Sequence, residues 1–468
     1  MVQSAIVRVR GKHCLQWDID SALKRGLSLF LGKQLVAFEV IQGQPILPLR
    51  QMALWASVAQ KAMRSVAIFD AKREFLSIWQ CEDVAFFMDA CNASETLRLA
   101  RTCMDSGIKV AIVCGAKDVY RAQLPFNDPL LSAAWLGFEL EEACQWFQTD
   151  PCTESLLPAW NANDIGDYCP YFVPVSLAYD KNGAQIARTP EDIVNEIRAL
   201  KKLGVLSAQK KVIFDSPFDS EAKAHETILR IAHRLVTEEI SWAAYLPTIT
   251  DCREIALLRR AGLFLASFGK SMNFNTMMHD GVRRILSAKC LDAFKSRGII
   301  VHASLTIGLP LQNRTFADYM TTLEAKHFLN SSVDLPEIQL ETPYPETKLF
   351  RECLKNGHLT DFDWNHYDGA HVVCQIQGDS RAPAALESEV KRMQNAACSS
   401  SERFMRLFKP TLGYLKMCCS SALPLSESTA LRFVLSSSLR NASDSNANVP
   451  MPRLQSMTLV GKIIAQNL

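Results

Sequence analysis

The sequence predicts an α/β protein with two successive parallel layers. Three observations predict it. Short apolar runs alternate with segments of helical spacing through two stretches of the chain. A break with two prolines and little periodicity, residues 148–168, separates those stretches. The 468 residues are 48% apolar and 21% charged, enough for a large core divided into more than one domain.

In the first stretch, Gln51–Arg64 reads as a helix and Val66–Phe69 as a strand. Glu95–Ser106 carries Leu97, Leu99, Ala100 and Cys103 at helical spacing and stops at Gly107. Val110–Val113 is a buried strand, Trp135-Leu136 a short one, and Glu139–Phe147 a helix. In the second stretch, Thr189 caps a helix with Pro190 in its first turn and an end near Leu203. Strand and helix then alternate. The strands are Lys211–Phe214, Ser241–Tyr245, Leu263–Phe268, Ile299–Ile307 and Pro336–Leu340. The helices are Ala222–Val236, Asp251–Gly262, Val282–Arg297 and Phe316–Leu329. This rhythm fits a partial (β/α) barrel of TIM type or a doubly wound sheet, and either fold holds ligands at the C-terminal strand ends. Residues 384–419 are helical in pattern, 420–448 are rich in Ser and Asn, and 457–464 are apolar enough to dock. The expected division is 1–150 for a Rossmann-like layer, 151–168 for a linker, 169–375 for the second layer and 376–468 for a helical extension.

Composition narrows the function. Fifty-one basic against 49 acidic residues leave a net charge of +2, which is no footprint for nucleic acid. No apolar run approaches the ~20 residues of a membrane span. The segment MVQSAIVRVRGKHC lacks the apolar block of an export signal, so a cytoplasmic protein is expected. The 15 cysteines contain no CxxC pair and read as small, reduced core residues.

From residue 169 the chain carries an ordered series of motifs. They are Cys169-Pro170-Tyr171, Arg188-Thr189-Pro190-Glu191-Asp192-Ile193, Val212-Ile213-Phe214-Asp215, Phe268-Gly269, Ile307-Gly308-Leu309-Pro310, and Thr342-Pro343-Tyr344-Pro345-Glu346-Thr347. In this order they resemble the radical S-adenosylmethionine (radical SAM) superfamily, in the branch with a cobalamin-binding domain ahead of the barrel. Leu97–Gly115 and Leu136–Ala143 resemble the late units of that domain. The resemblance implies S-adenosylmethionine and cobalamin as cofactors, and chemistry of the methyltransferase or carbon-modifying kind. It also implies a small-molecule or peptide substrate.

The chain departs from the family where the cluster is held. The family spacing places cysteines at 169, 173 and 176; here they are Cys169, Val173 and Ser176. Valine has no ligand atom and a hydroxyl is a hard substitute for a thiolate. A 4Fe–4S cluster is therefore not expected, and Cys169 stands as a remnant metal ligand. The Gly-Glu-Gly-Glu run of the front domain is Gly137-Phe138-Glu139-Leu140. These losses leave two expectations. One is a degenerate family enzyme. The other is a non-catalytic homologue, a pseudoenzyme that binds a ligand or supports a partner enzyme.

Six residues are candidates for the site. By resemblance, Tyr171 lies near an adenine. Asp215 ends a strand and is either a ligand contact or a helix cap. Ser271, beside Lys270, could hold an anion at a strand end. His302 lies in an apolar strand, as a core histidine or as a proton carrier. Tyr344 and Cys169 complete the set. Asp363-Trp364 through Gly369 reads as a structural clasp, and His366 with His371 as no metal site.

Overall fold

The computed structural model describes residues 4–8, 46–70, 81–151, 156–159, 172–181, 184–206, 211–215, 221–247, 249, 251–268, 288–307, 333, 335–340, 342–345, 347–374 and 382–397. Two parallel sheets organise them, so the α/β class holds.

The first sheet is built from β1 (Ser4–Arg8), β2 (Val66–Asp70), β3 (Asp83–Phe87), β4 (Lys109–Val113) and β5 (Ala134–Leu136) in the order β2-β1-β3-β4-β5, all parallel. This is a doubly wound order whose direction reverses between β1 and β3. Both faces are buried, as a parallel sheet requires. Ala85, Phe87, Ala111 and Val113 face the core shared with α1 (Ile46–Lys61) and α4 (Leu140–Phe147). Val84, Phe86, Val110 and Ile112 face the core that includes α2 (Ala93–Asp105). Tyr120 of α3 (Lys117–Ala122) is buried in that second core. Two strands go beyond the sequence reading. β1 was assigned no element there, and β3 lies in the unassigned run Val84-Ala85-Phe86-Phe87.

The second sheet holds β6 (Phe172–Ser176), β9 (Lys211–Asp215), β10 (Trp242–Tyr245), β11 (Leu263–Phe268), β12 (Ile300–Ile307) and β13 (Leu335–Leu340). These six strands lie in strict sequence order and run parallel. The order never reverses, unlike that of a doubly wound sheet. Between β6 and β9 an antiparallel hairpin intervenes, β7 (Ala178–Lys181) with β8 (Ala184–Ala187). The hairpin was not anticipated, although Asn182-Gly183 is its usual sequence signal.

The helices of this layer form where the sequence places them. α5 (Pro190–Lys202) starts on Thr189, whose Oγ1 accepts from the Asp192 amide at 3.1 Å. Glu191 and Asp192 sit in its first turn and Lys201 and Lys202 in its last, complementing the helix dipole. α6 (Glu221–Leu235) follows β9. α7 (Cys252–Arg260) starts on Asp251 and ends before Gly262. Gly262 has φ +99°, and a Cβ there would lie 1.8 Å from the Ile240 carbonyl oxygen, so only glycine fits. α8 (Ala288–Lys295) precedes β12. The expected helix Phe316–Leu329 lies outside the described residues.

The two layers are joined in two ways. α1 packs on β6, and the Ala159 amide donates to the Ala53 carbonyl at 2.9 Å. Beside this contact Glu196 of α5, 1% exposed, lies 3.2 Å from Arg50 of α1 and 2.7 Å from Arg188. The second joint is a return of the chain. After β13, α9 (Lys348–Lys355) and most buried residues of 359–374 pack in the first sheet's second core, while the Leu340 amide of β13 donates to the Gly369 carbonyl at 2.7 Å and Val372 packs on the other core. Trp364 sits 4.9 Å from both Tyr120 and Tyr367, ring to ring. The clasp expected at 363–369 is thus built, and its anchor is the front layer. Most buried residues of 349–374 thus lie in the first layer's core.

α10 (Ala382–Ala397) buries Leu386, Val390 and Met393 against the second layer's core. Residues 398–468 lie outside the described set, including the Ser/Asn-rich stretch and the segment 457–464. Cys81, Cys103, Cys114, Cys144, Cys353 and Cys374 are buried as core residues, while Cys252 is exposed. Burial pushes the Cys81 and Cys103 thiols up to about 11, which keeps both protonated and unreactive at neutral pH. Among the described residues, no helix is long and apolar enough to cross a membrane.

Candidate functional site

Away from the helix-covered core, the second sheet carries the buried apolar row Ile213, Ala243 and Leu265 and turns polar only two residues further along each strand. Val175, Phe214, Ala244, Ala266 and Val301 form one cross-strand row, and all five join the helix-covered core. One step along each strand the row becomes Ser176, Asp215, Tyr245, Ser267 and His302. Period-two alternation puts this row on the opposite face. It runs through the C-terminal ends of β6, β9 and β10 and the penultimate residue of β11. On β13 the residue paired with His302 is Leu335, so the polar row ends at β12. Polar residues at the C-terminal ends of parallel strands are a usual place for a ligand; His302, the third residue of β12, adjoins this row near the start of its strand.

Two members of the row are linked directly. Ser267 Oγ lies 2.8 Å from His302 Nδ1, and both residues are buried. Their pairing follows from the register that sets Ser267 beside His302. The hydroxyl fixes the orientation of the imidazole. Ser267→Ala is expected to lower stability by about 1–3 kcal/mol, because it leaves a buried ring nitrogen without this partner. Urea unfolding at pH 7.5 checks it; no shift in midpoint would show that the bond contributes nothing.

Ser176 closes the other end. Its Oγ donates to the Ala178 carbonyl at 2.6 Å, and its own carbonyl accepts from Arg188 Nη1 at 3.0 Å. Positions 173 and 176 therefore stand in a buried strand, not on a loop that begins at Cys169. A valine and a hydroxyl already engaged by a carbonyl offer no thiolate. Among the described residues, no three or more His, Cys, Asp or Glu are grouped where one metal could be shared. These residues do not fit a 4Fe–4S cluster.

The front layer was tested in the same way for cobalamin. At the end of β5, a Cβ on Gly137 would meet Glu139 Oε2 at 1.9 Å and Glu142 Oε1 at 3.2 Å. The Gly137 amide donates to Glu142 Oε2 at 2.6 Å, and Lys117 Nζ lies 3.0 Å from Glu142 Oε1. Glu142, through its hydrogen bond, holds the Lys117 ammonium above its ordinary range, with Glu139 and Asp118 adding to it. The space over the glycine is thus filled by the chain's own carboxylates. These carboxylates occupy the space a ligand would take against the backbone, and the loop as folded does not fit a bound cobalamin.

The candidates from sequence divide as follows. His302 is in the row, with Ser267 as a partner that sequence reading did not identify. Asp215 is in the row by register, next to Ser176. Tyr344 is not in the row; it packs against the first layer's second core, and its carbonyl accepts from Thr347 Oγ1 at 2.7 Å. Cys169, Tyr171 and Ser271 lie outside the described residues. Tyr245 and Ser267 were missed because only strand register aligns them, and register between separate strands leaves no local signal.

No protein-family model matches the chain, and a search of curated proteins finds no match.

Proposed function

We propose that this chain is a degenerate relative of the cobalamin-binding-domain radical S-adenosylmethionine enzymes, a cytoplasmic protein that binds a small molecule or peptide without cluster chemistry. In this reading the second layer is a partial (β/α) barrel, and the first is a Rossmann-like layer that no longer holds cobalamin tightly. The protein then works as a binding or partner subunit. The observation that carries the reading is the polar row Ser176, Asp215, Tyr245 and Ser267 at the C-terminal ends of β6, β9, β10 and β11 in a sheet of sequential order, with His302 of β12 bonded to it and with Val173 and Ser176 built into β6. The first half supports a retained ligand face. The second argues against the cluster whose iron would anchor the amino and carboxylate groups of S-adenosylmethionine.

Reconstitution under anaerobic conditions with iron and sulfide tests it. The expected result is no stoichiometric cluster absorption and no dithionite-dependent 5′-deoxyadenosine. Hydroxocobalamin titration is expected to show only weak binding. About four irons per chain, lost on Cys169→Ala, would sink the proposal and restore a radical enzyme.

A further inference from the structure

The clasp after β13 carries a feature that the ligand row does not use. His366 and His371 lie side by side, with ring centroids 4.8 Å apart and planes tilted by 32°. Each ring is held by its own carboxylate through Nδ1. His366 Nδ1 lies 2.6 Å from Asp361 Oδ2, and His371 Nδ1 lies 2.8 Å from Asp368 Oδ2.

Both carboxylates are themselves fixed. Asp361 Oδ1 accepts from the Asp363 amide at 2.7 Å. Asp368 Oδ1 accepts from the Ala370 and His371 amides at 2.7 and 3.0 Å, and its side chain is 1% exposed. The turn that carries them is pinned to the front layer by Tyr367, which is fully buried and donates its hydroxyl hydrogen to the Asp361 carbonyl at 2.8 Å.

The chemistry follows from the tautomer. A carboxylate on Nδ1 favours the tautomer that keeps a proton there, so a metal would be taken through the Nε2 lone pair. Carboxylate–histidine pairs of this kind orient metal-binding rings and raise their basicity. Both imidazoles are about 40% exposed, so a hydrated ion can reach them. The spacing suits a shared ion. With metal–nitrogen bonds of about 2.0–2.1 Å, a cation sits ~3.2 Å from each ring centre. Centroids 4.8 Å apart then subtend an angle of about 100°, between the tetrahedral and octahedral values. Two imidazoles without a thiolate favour a borderline ion, Zn²⁺ or Ni²⁺, over a hard one.

We propose that His366 and His371 form a two-histidine site for a borderline divalent cation on the clasp, with Asp361 and Asp368 as the carboxylates that hold the rings and water completing the coordination. The site is separate from the ligand row. An ion bound there would tie the two ends of the clasp turn together and stabilise the return of the chain onto the first sheet.

The test is a Zn²⁺ and Ni²⁺ titration of the full chain, stripped of metal by chelator, at pH 7.5. Competition with a chromophoric chelator reads affinity, and the melting temperature reads the coupling to folding. One equivalent is expected to distinguish wild type from His366→Gln and from His371→Gln, each binding at least tenfold more weakly. Asp368→Asn is expected to weaken binding by about tenfold while both imidazoles remain. Metal should raise the melting temperature of wild type and not of the histidine variants. The difference from wild type removes the background of cysteine thiols. Identical isotherms for wild type and both histidine variants, with circular dichroism showing all three folded, would overturn the site. So would a melting-temperature rise that persists in the variants.

Discussion

Glu196→Gln is expected to destabilise the protein by about 3–5 kcal/mol, because it removes one charge from a buried triad and leaves two buried guanidinium groups facing an amide. The carboxylate is 1% exposed and the Arg50 and Arg188 side chains 12% and 11%, so water cannot replace the lost charge. The substitution keeps the shape of the side chain, so the loss reports charge rather than packing. It also reaches two further contacts. Arg188 donates to the Ser176 carbonyl at the end of β6, and Arg50 belongs to α1 of the front layer. The triad therefore ties the layers together beside the ligand row. Urea unfolding monitored by circular dichroism measures the effect. A loss below about 1 kcal/mol would show that the three side chains behave as a solvated surface pair. Replacing all three residues with apolar ones of similar volume is expected to recover much of the loss, since the desolvation cost of the ions then disappears.

Trp364→Ala is expected to cost about 3–5 kcal/mol by truncating a large buried aromatic side chain. The indole packs on Tyr120 of α3 and on Tyr367, with Phe350 of α9 at 6.4 Å. These rings are the main apolar contact between the clasp and the first sheet. Loss of the indole should loosen residues 342–374 before the sheets themselves unfold, because β13 is held independently by β12. Limited proteolysis of the folded variant is expected to cut within 342–374 faster than in wild type. Equal cleavage rates together with a stability loss below about 1 kcal/mol would show that the clasp is not held by this residue.

Much of the architecture was legible before any coordinates. Helix α5 announced itself through Thr189, Pro190 and the acidic first turn, and the structure has the cap in place. Strands β9 to β13 were readable as apolar runs between helical segments, because both their faces or most of one face are buried. β1 and the β7–β8 hairpin were not. The first is a short run, Ser4-Ala5-Ile6-Val7-Arg8, yet it lies centrally in its sheet, paired with β2 on one side and β3 on the other. The hairpin is short, and the run around it has no strong period.

The site was less legible. His302 stood out as a polar residue in an apolar strand, but Ser267, its partner, is 35 residues away. Likewise, Asp368 was read only as part of the clasp turn and Asp361 was not singled out; only the folded clasp shows each of them holding a histidine. By itself the sequence determined the α/β class, the order of most elements and the absence of thiols at positions 173 and 176. These properties are local or compositional: periodicity, caps and residue identity need no partner. The tertiary structure alone decided the two strand orders, the return of residues 349–374 to the first layer, and the alignment of Ser176, Asp215, Tyr245, Ser267 and His302 in one row. The physical reason is that register and packing join residues far apart in the chain. Their energy comes from burial against surfaces that no single segment encodes.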